Sequence, residues 1–263
     1  MAKRAAFALS GSGTLAPLHV GALAAFYDRS IRPNFLVGTS GGAIVSGLLA
    51  LGYTPHDLRA IMLEANFAKL IPYNELLVPF RHYLASNKNV IAWLKELTHG
   101  QAMMDCKIPF SAVTTDLYSM SSVAHSTLNK EDAHLPVWQA IVASLSIPDV
   151  FPMFKGRFVD GGLMRNLAVD VLPNGPAYAL RVTERTKTGP ITSWIDEQER
   201  ILDVMLTANE QESVMLAKAR DIPVINLPAG NLGFLDRSMS KAQKSVLYST
   251  GYNAVVKYLA KAA

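Results

Sequence analysis

Hydrophobic and polar positions switch repeatedly between a strand-like and a helix-like period along this chain. Ala5 to Leu9 is a short apolar run that breaks at Ser10-Gly11-Ser12-Gly13. A helix from about Pro17 to Arg29 follows, with proline suited to its first turn. Phe35-Leu36-Val37 predicts a second strand, and Gly41 to Leu51, apolar on every side, predicts a helix buried under a sheet. Thr54 and Pro55 open a third helix as N-cap and first position. Ile108 to Asp116 predicts a central strand with Val123 to Ser126 beside it. Pro136 to Leu145 predicts a helix, and Arg157 to Gly162 a short strand ending in a turn. Ala177 to Val182 and Pro223 to Leu227 read as further strands. Ile195 to Ala219 and Ser240 to Leu259 read as long helices. Such alternation predicts an α/β fold of three layers, α/β/α, with a mostly parallel central sheet and helices on both faces.

Residues 66 to 100 fit the pattern less well. Ile71 to Asn74 and Leu77 to Phe80 read as loop, and Asn89 to Leu97 as helix. The stretch is apolar and punctuated by proline, which suits either a substrate-contacting lid or a plain packed connection. With no internal repeat, low-complexity tract or linker, one domain over residues 1–263 is expected.

Composition narrows the class. Half the residues are hydrophobic and 17% are charged, enough for a large core and against disorder. The net charge of +4 favours anionic surfaces mildly. Its basic residues form no run, so no nucleic-acid partner is expected. Cys106 is the sole cysteine, which excludes an internal disulfide and suits a structural thiol in a reducing compartment. Lys3-Arg4 before Ala5 to Leu9 resembles the start of a signal peptide, yet the apolar run is too short for one. No stretch approaches the roughly 20 apolar residues of a membrane span. The expected location is therefore cytoplasmic or peripheral to a membrane, without a cleavable signal peptide or transmembrane helix.

Candidate chemistry centres on Gly38-Thr39-Ser40-Gly41-Gly42, a G-x-S-x-G turn between a strand and a helix. Ser40 there is either a nucleophile or a helix cap. An ordinary hydrolase order of Ser, acid, His needs a late histidine, but the six histidines (19, 56, 82, 99, 125, 134) all precede the second half's last strands. A triad of Ser40, Asp116 and His125 or His134 would crowd the middle of the sheet. A buried carboxylate is the other available base. Asp160, followed by Gly161-Gly162, is the best candidate, with an Asp-Gly-Gly hairpin as the plain alternative. Gly11, Ser12, Gly13 and Thr14 form a Gly-rich turn whose amides suit an oxyanion. Gly11 to Ala16 also matches a dinucleotide fingerprint, but the second strand ends in Gly38-Thr39-Ser40 where the ribose carboxylate belongs.

These segments, taken in order, resemble the patatin-like phospholipase family. Leu9 to Gly13 with Val20 to Leu23, Val37 to Ala43, Pro109 to Leu117, and above all Ala143 to Pro152 with Val159 to Gly162 and Asn166 to Asp170 carry the likeness. It implies a Ser–Asp dyad of Ser40 as nucleophile and Asp160 as base. Backbone amides of Gly11, Ser12, Gly13 and Thr14 would hold the oxyanion, and Gly38, Gly41, Gly42, Gly161 and Gly162 would serve as supporting turn glycines. The implied reaction is hydrolysis of fatty-acyl esters of phospholipids, lysophospholipids or related lipids, with no metal and no cofactor. A lipid substrate and peripheral membrane contact follow as partners. A thioesterase or transacylase, or a degenerate lipid-binding protein, shares the signature. The chain departs from the family's G-G-G-x-[RK]-G turn at Ser12, Leu15 and Ala16. Losing the cation at Leu15 weakens the case for a phosphate-bearing substrate.

Overall fold

Large and small side chains alternate along the strands, and this alternation defines two unlike faces of one sheet. In β1 (Lys3–Leu9), Ala5, Phe7 and Leu9 point to one side and Ala6 and Ala8 to the other. The same division separates Leu36 from Phe35 and Val37 in β2 (Ile31–Thr39), and Leu180 and Val182 from Ala177 and Ala179 in β6 (Ala177–Thr183). Burying each large residue stabilises the fold by about 1.5–3 kcal/mol. The computed structural model describes residues 2–74, 78–183 and 189–262.

The larger core lies under α1 (Pro17–Asp28), α2 (Gly41–Leu51) and α3 (Pro55–Glu64), and under the C-terminal helix. Residues 66–98 follow on this side as α4 (Phe67–Leu70), α5 (Val78–Arg81) and α6 (Lys88–Thr98). Val78 to Arg81 is thus a short helix where the sequence suggests loop, and Leu77 lies outside the described residues. This segment is fastened: the N–H groups of Leu84 and Ala85 donate to the carbonyls of Asp149 and Val150 at 2.7 and 2.8 Å.

The chain then runs through β3 (Phe110–Asp116), β4 (Ser121–Ser126), α7 (Val137–Ser144), β5 (Phe158–Asp160) and α8 (Gly162–Arg165). After β6 come α9 (Trp194–Ala219), β7 (Val224–Pro228) and α10 (Lys241–Ala262). The second core, on the opposite face, joins Leu167, Val169 and Leu172 to Ala217 of α9 and to the small residues of β1 and β6. Alanines on that face let the covering layer approach closely.

The strand order is β4-β3-β2-β1-β6-β7, with β5 also on β3. Pairings from β3 through β7 are parallel, and β4 and β5 are antiparallel to β3. A mixed sheet with helices on both faces results, as the hydrophobic pattern predicts. One detail governs the site. Leu36 to Thr39 of β2 pair with Phe110 to Val113, and Asp160 to Phe158 of β5 pair with Thr114 to Asp116. The two strands therefore approach each other head-on along one edge of β3. Gly161-Gly162 is not a hairpin, because the chain turns there into α8.

Candidate active site

Ser40 sits between β2 and α2 at φ 51° and ψ −123°, a region that costs a non-glycine residue about 1–3 kcal/mol. Two contacts hold it there. Its N–H donates to Ser144 Oγ at 2.8 Å, and Ser144 Oγ–H donates to the Val113 carbonyl at 2.5 Å. Ser144 thereby ties the strained turn to β3. The Ser40 side chain caps no helical amide, so the helix-cap alternative fails. Its Oγ is buried and without a hydrogen-bond partner.

Asp160 arrives from the opposite direction at the end of β5. One carboxylate oxygen, Oδ1, accepts from Gly162 N–H at 2.7 Å. The other, Oδ2, is buried and unpartnered like Ser40 Oγ, and the hydroxyl lies close enough to favour the charged carboxylate. Bonding geometry between such groups is often incomplete until substrate binds. Burial dominates and pushes the Asp160 pKa up to about 7, with the nearby Ser40 hydroxyl and the Gly162 N–H holding it back. A carboxyl so placed can take and return a proton near neutral pH.

The residues of the other triad do not converge. Asp116 is held by Arg157 through paired bonds of 2.7 and 2.5 Å, which keep its carboxyl well below the usual range. His125 Nδ1 faces Asp132 at 3.4 Å on β4. His19 is wholly buried, donates from Nε2 to the Ser10 carbonyl, and has its pKa lowered to about 4 by burial.

The turn from Gly11 to Thr14 adjoins the elbow. Gly11 N–H is already given to the Asn166 carbonyl and Thr14 N–H to that of Phe234, at 3.0 and 2.9 Å. Among the described residues, the Ser12 and Gly13 amides of this turn make no such bond. Ser12 Oγ is also buried and unpartnered, and it lies against Gly41 beside Ser40. Gly38, Gly41, Gly42 and Gly161 each abut backbone of a neighbouring segment that a Cβ would strike.

An apolar cavity of about 50 Å³ opens at Ser40, walled by Ile44, Phe67, Leu70, Trp93, Leu145 and Leu235. Leu70 and Trp93 also border a wider surface groove of about 420 Å³ with Ile61 and Leu97. Among the described residues no three of His, Cys, Asp or Glu converge as a metal site. No helix there is long and apolar enough to cross a membrane.

The strand-to-helix serine and its facing aspartate stand within residues 7–173, which match the family model "Patatin-like phospholipase". The chain belongs to the patatin-like phospholipase family. The uncharacterized protein YqhO of Bacillus subtilis is 22% identical over 276 residues, covering 92% of this chain and 93% of YqhO. Triacylglycerol lipase 5 of Saccharomyces cerevisiae is 23% identical over 169 residues, 57% of this chain and 22% of that protein. The chain thus spans nearly all of the bacterial relative but about a fifth of the fungal ones. Among solved structures, VipD from Legionella pneumophila superposes with a TM-score of 0.66 at 13% identity, over 98% of this chain and 67% of VipD. ExoU of Pseudomonas aeruginosa, in complex with SpcU, gives 0.51 at 18% identity, over 99% of this chain and 52% of ExoU. These likenesses concern the fold.

Sequence reasoning did not single out Ser144 or Asn166, although both lie within the motif block. Asn209 and Glu210 on α9 and Arg181 on β6 had no signal at all: Asn209 Oδ1 accepts from Asn166 N–H at 3.0 Å and Glu210 accepts from Asn166 Nδ2–H and Arg181 Nε–H, all contacts distant in sequence.

Proposed function

We propose that the protein is a serine lipid acyl hydrolase that works through Ser40 and Asp160. One observation carries this reading: two buried, unpartnered oxygens, Ser40 Oγ and Asp160 Oδ2, at the facing ends of β2 and β5. In the proposed cycle, Oγ attacks the ester carbonyl while Asp160 takes its proton. The tetrahedral oxyanion is held by the Ser12 and Gly13 amides, each donor worth about 3–4 kcal/mol in such sites. Asp160 then protonates the departing alcohol oxygen, and the acyl group remains on Ser40. Water gives a proton to Asp160 as its oxygen attacks the acyl carbonyl, and collapse releases the fatty acid with the proton returned to Oγ.

The apolar cavity at Ser40 suits an acyl chain and favours a lipid ester over a small polar one. Exposed Ile201 and Met205 on α9 line a neighbouring groove with Leu235. They suit peripheral contact with a lipid surface. The test is labelling by a fluorophosphonate together with turnover of p-nitrophenyl esters and a phospholipid and acylglycerol panel. The parent labels and turns over, Ser40→Ala does neither, and Asp160→Asn loses turnover. A parent that is unlabelled and inert on every ester overturns the proposal, and full activity in Asp160→Asn overturns the dyad.

A further inference from the structure

Leu235 stands between two apolar cavities and, among the described residues, is the one that lines both. On one side is the acyl cavity at Ser40. On the other is a groove of about 160 Å³ beside α9, walled by Tyr73, Leu84, Leu163, Ile201 and Met205. Elsewhere the partition is a single layer of chain: Ile147 and Phe151 face the acyl cavity, and their neighbours Pro148 and Val150 face the groove. Ile147, Val150 and Phe151 are buried in the larger core, whereas Leu235 is half-buried and belongs to the connection between β7 and α10. That connection lies beyond residue 173, where the family match ends.

The connection is anchored on both sides of Leu235. Asp236 N–H donates to the Gly233 carbonyl at 3.0 Å and closes a turn over Phe234-Leu235. Before Leu235, the Phe234 carbonyl accepts from Thr14 N–H at 2.9 Å and from Thr14 Oγ1–H at 3.2 Å. Gly13 packs so tightly there that a Cβ would lie 2.1 Å from the same carbonyl oxygen. After Leu235, Arg237 crosses to the residues that follow α4. Its Nη1–H donates to the Ile71 carbonyl at 2.8 Å, and its guanidinium carbon lies 3.5 Å from the centre of the Tyr73 ring. Ile71 lines the acyl cavity and Tyr73 the groove, so Arg237 grips the partition from both sides.

We infer that Leu235 sets the acyl-chain selectivity of the Ser40 site and that Arg237 is the positioning residue that holds it across the partition. The inference rests on the Ser40–Asp160 hydrolase reading. With Leu235 in place, an acyl chain on Ser40 is confined to a cavity of about 50 Å³; with its side chain removed, the apolar groove becomes the continuation of that cavity. A guanidinium suits the holding role because its edge donates to a carbonyl while its face lies on an aromatic ring. The Thr14 anchor does not involve Arg237, so loss of the guanidinium frees Leu235 on one side and leaves Phe234 held at the Gly13 turn.

The experiment measures kcat and KM separately on p-nitrophenyl butyrate and decanoate for the parent, Leu235→Ala, Arg237→Met and Arg237→Lys. Leu235→Ala is expected to raise the decanoate-to-butyrate ratio of kcat/KM by about tenfold or more, the scale on which room for methylenes discriminates between substrates. Leu235→Val, a smaller truncation, moves the ratio the same way and serves if the alanine variant does not fold. Arg237→Met keeps an apolar stem and loses the guanidinium; it is expected to raise the ratio through a lower KM for decanoate. Arg237→Lys, which retains a donor for the Ile71 carbonyl, recovers part of the parent ratio. A ratio unchanged in both Leu235 variants overturns the selectivity role. An Arg237→Met variant that lowers kcat on both esters alike, with the ratio unchanged, overturns the positioning role. A parent that releases no p-nitrophenol from either ester sinks the hydrolase reading itself, and the inference with it.

Discussion

Thr39 and Asp160 occupy consecutive places on one edge of β3, Thr39 opposite Val113 and Asp160 opposite Thr114, although 120 residues of chain lie between them. Ser40 follows Thr39 directly, so the pairing of β3 with two opposed strands brings the hydroxyl and the carboxyl together.

The first prediction concerns pH. With burial raising Asp160 to about 7, the basic form accumulates only as pH rises through neutrality. The kcat/KM for a soluble ester therefore increases tenfold per unit below about pH 7 and levels above it. His125→Ala leaves this acid limb in place, since His125 faces Asp132 and not the dyad. An acid limb near 4, or one that vanishes in His125→Ala, would show that another group is the base.

Stability moves the other way at the same carboxyl. The folded pKa of about 7 exceeds the ordinary 3.8, so the folded state holds the extra proton between those values and loses stability as pH rises through them. His19, lowered to about 4 from 6.5, has the opposite sign: stability is full above 6.5 and lost as pH falls toward 4. The two slopes oppose each other between pH 4 and 6.5. Asp160→Asn exposes the His19 slope in that range and is more stable than the parent at pH 8, by on the order of 1–4 kcal/mol. Urea midpoints from pH 4 to 8 measure both effects, and a variant less stable than the parent at pH 8 contradicts the account.

Removing the tie beneath the elbow should loosen Ser40 without touching the chemistry. Ser144→Ala leaves the Ser40 N–H and the Val113 carbonyl without their buried partner, a cost of about 1–3 kcal/mol. We expect slower fluorophosphonate labelling together with that loss, and partial recovery of both in Ser144→Thr. Ser12→Ala, by contrast, removes a hydroxyl that bonds nothing in the resting protein. A tenfold or greater drop in kcat at unchanged stability would mark that hydroxyl as an oxyanion donor, and unchanged kcat would exclude it.

If the cavity at Ser40 holds the acyl group, as proposed, its wall sets the chain length. Leu70 and Trp93 stand between the cavity at Ser40 and the wider groove outside. Trp93→Ala joins the two and shifts the preferred p-nitrophenyl ester to longer acyl chains by several carbons. An unaltered chain-length profile in a folded Trp93→Ala would place the acyl group elsewhere.

The sequence made the layers legible because period and chemistry agreed: Ala5 to Leu9, Phe35 to Val37 and Gly41 to Leu51 form the elements their patterns predict. The G-x-S-x-G turn and the missing late histidine pointed to the pair Ser40 and Asp160. The helix over Asn89 to Leu97 was legible and is α6, whereas the single turns Phe67–Leu70 and Val78–Arg81 were not, because four residues are too few to show a period and Phe67 and Leu70 serve both packing and a cavity wall. The amides of Gly11 and Thr14 could not be told from those of Ser12 and Gly13, since the acceptors that occupy them come from Asn166 and Phe234, far along the chain. Glu210 was invisible for the same reason. A glutamate on an amphipathic helix looks solvated until Asn166 and Arg181 are seen to enclose it.

All seven residues of β3 are taken along the edge that β2 and β5 share, four by one strand and three by the other. That edge acts as a ruler with no unmarked length. One residue added to the end of β2 would displace β5, and one added to β5 would displace Ser40. The separation of hydroxyl and carboxyl is thus fixed by excluded volume along a backbone, and drift in either strand is limited by the other.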